Sequence, residues 1–152
     1  MPAVEHSIDI AAPIDRVFEA VTDPRRAREW NPSVEGIDDF SGEPVTAGST
    51  WTQVVKLAGK TVRLRARVLA FEPPHTGIIE ITGPYTGRVW TRCEAIPGGT
   101  RLTQGIEAAA PRGLLGLIGG RVIAATMSRQ LKTSLARQRD VLEGASSGSR
   151  PA

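Results

Sequence analysis

Apolar and polar positions alternate from the start of the chain: Val4, His6, Ile8 and Ile10 share one face, and Glu5, Ser7 and Asp9 the other. That two-residue period predicts a half-buried strand, because successive side chains of an extended backbone point to opposite sides. Ala12-Pro13 ends it. Pro13 suits the first position of a helix, and Ile14, Val17, Phe18 and Val21 then recur at helical spacing, so a short amphipathic helix is expected to about Thr22. Asp23-Pro24 breaks that helix. A second short helix is expected from Pro24 to Trp30, closed by Asn31-Pro32, since a residue before proline is pushed out of the helical region. From Val34 onward the pattern predicts six strands, near 34–40, 49–58, 61–72, 77–83, 87–96 and 100–109. The connections are short and rich in turn residues, AGK at 58–60 and PGG at 97–99 among them, which favours antiparallel meander pairing.

Pro111 opens the last apolar stretch, in which Leu117, Ala124, Met127, Leu131, Leu135 and Leu142 form one stripe at spacings near three, four and seven. This predicts a long helix. Arg129, Lys132, Arg137, Gln138 and Arg139 are assigned to its opposite side, with the cations towards the end where they complement the helix dipole. Gly116, Gly119 and Gly120 interrupt the apolar stretch, and each glycine inside a helix costs about 1 kcal/mol relative to alanine. Three explanations stand: the missing side chains leave open volume beside the sheet, the backbone packs closely on a strand, or the helix begins only near Arg121. The small polar residues after Glu143 predict a disordered tail over 144–152, leaving a single domain over 1–143.

Strand, two short helices, six strands and a long helix make an α+β chain, and a bent antiparallel sheet with its helices on one side buries the stripes of both. At 152 residues one domain can hold a substantial hydrophobic core. The first residues lack the basic and apolar blocks of a secretory leader, and no apolar run approaches the roughly 20 residues that span a bilayer, so a cytoplasmic location is expected. Cys93 is the only cysteine, which excludes an internal disulfide. The net charge of +3 is small, and with 5% aromatic residues there is no basic stripe interleaved with rings, so nucleic acid is not an expected partner. Arg63, Arg65 and Arg67 alternate with Val62, Leu64, Ala66 and Val68 and read as the solvated face of a strand.

The stretch IDIAAPIDRVFEAVTDPRRAREWNPSV closely resembles the opening of the START-related (SRPBCC) superfamily of polyketide cyclases and dehydrases, plant pathogenesis-related allergens and lipid-transfer domains. RVLAFEPPHTGIIEI and PGGTRLTQGIE resemble later parts of the same family, so the likeness extends over roughly residues 4 to 143. It implies a helix-grip fold, in which a curved seven-stranded antiparallel sheet wraps around the long C-terminal helix and leaves a cavity between them. It also implies that Trp30 borders the cavity mouth.

Strand parity then nominates the residues that face such a cavity. Trp51, Gln53, Val55 and Leu57 share a face, Leu64 lies on the apolar side of its strand, and Leu102, Gln104, Ile106 and Ala108 share another. A buried amide without a partner costs about 1–3 kcal/mol, so Gln53 and Gln104 require each other, water or a ligand. Val89, Thr91, Cys93 and Ala95 form a set of small inward side chains, with Cys93 a modest hydrophobe rather than a nucleophile, while Trp90, Arg92 and Glu94 point outward. Tyr85 in the GPYTG loop is a rim candidate, and Leu117, Gly120, Ala124, Met127 and Leu131 are the helix contributions. His6 is the best candidate for a general base, yet no acid or second donor accompanies it in the pattern. His6 and His75 have no metal-binding spacing, no phosphate loop or nucleophile elbow is present, and neither metal nor cofactor is expected. The leading expectation is a protein, monomer or homodimer, that binds a small hydrophobic molecule such as a lipid, polyketide-like or aromatic metabolite. The alternative is a cyclase or dehydratase using the same cavity. A third expectation, surface contact of RGLLGLIGGR with a membrane or partner without stable insertion, is weakened by its single arginine at each end.

Overall fold

A computed structural model describes residues 3–42, 44–57, 59–109 and 120–148. Strand β1 (Ala3–Ile10) leads into helix α1 (Ile14–Thr22) and a 3-10 helix (Pro24–Glu29). Six strands follow: β2 (Val34–Ser41), β3 (Thr50–Leu57), β4 (Lys60–Glu72), β5 (Thr76–Thr82), β6 (Thr86–Ile96) and β7 (Gly99–Ala109). Helix α2 (Gly120–Gly148) is the last described element. Pro13 stands one place earlier than expected, at the N-cap, where its carbonyl accepts the first helical bond from the Val17 amide at 3.0 Å. Asp23 caps the 3-10 helix by accepting from the Arg25 amide at 3.0 Å.

All seven strands form one antiparallel sheet in the order β1-β7-β6-β5-β4-β3-β2. The meander runs from β2 to β7, and β1 pairs with β7 over its whole length, His6 opposite Gln104 and Ile8 opposite Leu102. Register shifts break β2 twice and separate Val68 from Ala70 in β4. Such bulges bend a strand and increase its twist, which is how one sheet becomes concave enough to enclose helices. The β6–β7 turn at Pro97-Gly98 needs a positive φ, and Gly98 adopts 84°.

On the convex face Arg63 pairs with Asp38 at 2.8 Å, Arg65 donates to Thr50 and Thr52, and Arg101 pairs with Asp9 at 3.0 Å. The ring of Trp90 lies over Gly105, where any β-carbon would collide with it, and its indole N–H donates to Glu5 at 2.7 Å. Arg63, Arg65 and Arg67 are exposed, as strand alternation requires.

Helix α2 crosses β1 and β7, and α1 packs on β6 and β7. Between them sits the largest core cluster, with Val17 and Phe18 from α1, Cys93 and Leu102 from the sheet, and Leu131, Leu135 and Leu142 from α2. Two smaller clusters lie further along the sheet, one around Val34, Val55 and Leu64 and one around Trp51, Ala66 and Val68. The apolar interior is therefore divided. The bounds of helix α2 include Gly144 to Gly148, the first part of the segment 144–152 expected to be a tail. Gly116, Leu117 and Gly119, with most of the RGLLGLIGGR segment, fall outside the described residues, and Gly120 is the first residue of α2. Gln138, assigned from the sequence to the solvent side of this helix, is instead fully buried against the sheet. Its position explains why: 131, 135, 138 and 142 follow helical spacing, so Gln138 lies in the leucine stripe.

Candidate ligand-binding cavity

A cavity of about 300 Å³ opens between the three apolar clusters, which Phe71 and Ile81 bridge at their edges. Leu131 brings the wall of the main cluster, Val34 and Leu64 that of the second, and Trp51, Ile79 and Ile81 that of the third. Strands β6 and β7 floor it with Val89, Gln104 and Ile106. Helix α2 covers it with Gln130, Leu131 and Ser134, while Ala27, Trp30 and Asn31 approach from the 3-10 helix and the turn after it. The physical cause is the offset of α2. Lying over β1 and β7, it leaves the concave face of β3 to β5 without a helix to fill it.

Trp30 is held in place by its neighbours. The Arg26 guanidinium lies 5.6 Å from the centre of its ring and bonds the Glu29 carboxylate at 2.7 Å. That bond keeps the Glu29 carboxyl below its ordinary value and raises the Arg26 guanidinium. Trp51 is buried, stacks with Phe40 at 6.0 Å between ring centres, and donates its indole N–H to Gln53 Oε1 at 3.3 Å.

The buried polar groups form a chain across the sheet and helix. Gln104 Nε2 donates to Thr91 Oγ1 at 3.2 Å, and Gln138 Nε2 donates to Gln104 Oε1 at 2.8 Å and to Ser134 Oγ at 3.2 Å. The two glutamines singled out from the sequence, Gln53 and Gln104, thus take separate partners rather than each other. Among the described residues, Gln138 Oε1 is the buried side-chain polar atom left without a hydrogen-bond partner.

A family model described as polyketide cyclase / dehydrase and lipid transport matches residues 1–143. The chain belongs to this family. An uncharacterised protein of Mycobacterium tuberculosis (strain CDC 1551 / Oshkosh) is 34% identical over 104 residues, 66% of this chain and 45% of that protein. The chain therefore spans less than half the length of the curated relatives it matches. Among solved structures, TTHA0849 from Thermus thermophilus is similar at TM-score 0.80 and 18% identity, over 95% of this chain and 99% of that one. The di-domain ARO/CYC BexL from the BE-7585A biosynthetic pathway is similar at TM-score 0.74 and 17% identity, over 98% of this chain and 50% of that one. Both likenesses establish the helix-grip fold.

In this member of the polyketide cyclase / dehydrase family the cavity gathers Trp30, Trp51, Gln53, Leu64, Tyr85, Gln104, Ile106 and Leu131 from the residues nominated by sequence. It does not gather His6, Thr91, Cys93, Ala124 or Met127. His6 Nε2 is 2.7 Å from Ser128 Oγ, tying β1 to α2 beside the cavity rather than in it. Thr91 serves Gln104, and Cys93 belongs to the main cluster with Phe18, because α1 takes the room its small side chain leaves. Ala124 and Met127 are half-buried on α2, before the turn that reaches the cavity. Val89, read as inward from its strand, is on the β6 wall, whereas Ile79 and Ile81 from β5 were not nominated, although their shared parity was a usable signal.

Burial pushes the Cys93 thiol up to about 12. The thiolate is the reactive form, so iodoacetamide at pH 8 should leave Cys93 of the folded protein unmodified and alkylate it in urea, as read by intact mass. Rapid labelling of the native protein would show that the site opens. Because this acid holds its proton more tightly when folded, the linked stability is complete below the ordinary thiol value near 9.0 and declines as pH rises towards 12.

Proposed function

We propose that the protein binds a small hydrophobic molecule in the cavity between the sheet and helix α2. The observation that carries this reading is a volume of about 300 Å³ walled by Trp30, Trp51, Leu64, Ile79, Ile81 and Leu131, with polar residues such as Gln53, Gln104 and Tyr85 set among these apolar walls. Small-molecule sites have this composition: apolar walls supply affinity at about 25 cal/mol per Å² buried, and sparse polar groups orient the ligand. Gln104, Gln53 and Tyr85 are the orienting groups here. The lipid transport named in the family description supports the reading.

A polyketide cyclase or dehydratase acting in the same cavity is the second reading, favoured by the ARO/CYC neighbour and by Asp23 and Tyr85 on the cavity lining. His6 is occupied by Ser128, so Tyr85 is the better placed of the two to exchange a proton with a bound molecule. Conversion of a bound compound to a product, followed by mass spectrometry, separates this reading from simple carriage.

A thermal-shift panel of apolar aromatic and aliphatic compounds tests the binding reading. At 100 times Kd a ligand adds about 2.7 kcal/mol, which for a chain of this size raises Tm by roughly 5–10 °C. An unchanged Tm across the panel, with no co-purified compound in native mass spectra, rejects it.

A further inference from the structure

We infer that the polar end of this cavity selects ligands bearing an uncharged hydroxyl group; the inference rests on the binding reading above and specifies its ligand. A glutamine side chain offers two N–H donors and one carbonyl acceptor, and which end carries oxygen is set by its partners. In the arrangement described, donors run from Gln138 to Gln104 to Thr91, and Gln138 Oε1 is left over. Turning both amides over reverses the chain: Thr91 and Ser134 hydroxyls donate, Gln104 Nε2 donates to Gln138, and a Gln138 N–H is left over instead. Either direction leaves one buried polar position of Gln138 open. Gln138 is fully buried and is not on the cavity lining, so its open position is internal to the fold, and what this neutral, reversible array offers a ligand is the spare capacity of Gln104.

Gln104 and Ser134, the two side chains bonded to Gln138, both line the cavity. Gln104 also has an N–H and a carbonyl lone pair beyond those used. A hydroxyl on the ligand matches this array in both directions, since it donates and accepts; a ketone matches only one. A carboxylate is excluded on charge. Of the charged residues on the lining, Asp23 lies at the 3-10 helix, while Arg88 and Glu107, paired across β6 and β7, have the outward parity opposite to Val89, Gln104 and Ile106. Arg88 thus stands three residues from Gln104 in register, about 10 Å along the strands, too far to neutralise an anion seated at the glutamine. Gln138 acts as a positioning residue, holding Gln104 and Ser134 at the edge of the cavity.

The experiment uses three probes of one size on the full chain: naphthalene, 2-naphthol and 2-naphthoate at neutral pH, with affinities from calorimetry. We expect 2-naphthol to bind roughly 5- to 10-fold more tightly than naphthalene, the worth of one net hydrogen bond, and 2-naphthoate to bind most weakly. In Gln104→Met the naphthol and naphthalene affinities should become equal while naphthalene still binds, which also shows that the variant is folded. Ser134→Ala, at a half-buried helix position, should reduce the preference about two- to threefold and keeps the test available if Gln104→Met does not fold. Equal binding of naphthol and naphthalene by the wild type overturns this inference and leaves the binding reading intact. Preference for naphthoate, or a naphthol preference unchanged in both variants, also overturns it. Failure of all three probes to bind counts against both.

Discussion

Replacing Leu102 with alanine is expected to lower stability by about 3–4 kcal/mol, with the urea midpoint falling and the slope of the transition unchanged. Leu102 is fully buried on β7, opposite Ile8 of β1 and Cys93 of β6, in the cluster that joins α1, the sheet and α2. It does not line the cavity, so the deleted methyl groups leave a new void with apolar walls on every side rather than enlarging an existing one. Phe18 and Leu135, packed in the same cluster, are held by two different helices, α1 and α2, which limits their collapse onto the gap. Transfer and cavity contributions therefore add. A loss below about 1 kcal/mol would show that this cluster is loosely packed and that the helices are not anchored by it.

The second large effect is on binding. Changing Ile106 to tryptophan is expected to reduce the affinity for every apolar probe more than 100-fold and to leave Tm within a few degrees of the wild type. Ile106 is a half-buried residue of β7 on the cavity lining, with Val4 and Val89 as its neighbours in register. In a closely packed interior so large an insertion costs about 1–3 kcal/mol or more through displaced side chains. Here the indole has about 300 Å³ to enter, so the strain is small and the ligand's place is taken. Calorimetry with the same probes and a thermal melt check the two halves independently. Retained affinity would mean that ligands bind elsewhere, and a collapsed Tm would mean that the volume closes in solution.

Both experiments depend on a divided interior, which follows from how far along the sheet α2 reaches. The strands themselves were legible in the chain: alternation in β1, β3, β4 and β7 and the turn at Pro97-Gly98 are visible within a few residues, since side-chain direction in an extended backbone is a local property. Parity also placed Gln104 and Trp51 on the inner face, where they lie. The same reasoning misplaced Gln138, because a polar residue is counted with the solvent side unless its partner is known. That partner is Gln104, 34 positions away. His6 illustrates the converse: its face was read correctly, but Ser128, 122 positions away, determines what its imidazole does.

Local periodicity and turn chemistry, then, were enough to specify the elements, their order, the α+β class and the inward faces of β1, β3, β4, β6 and β7, since all of these are set by neighbours within a few residues. Which inward residues share a chamber, that Cys93 sits against α1, and that Gln104, Gln138 and Ser134 form one array were decided by tertiary structure alone. They depend on strand bulges that curve the sheet and on the lateral position of α2, and these arise from the summed packing of segments remote in the chain, which no short window of residues records.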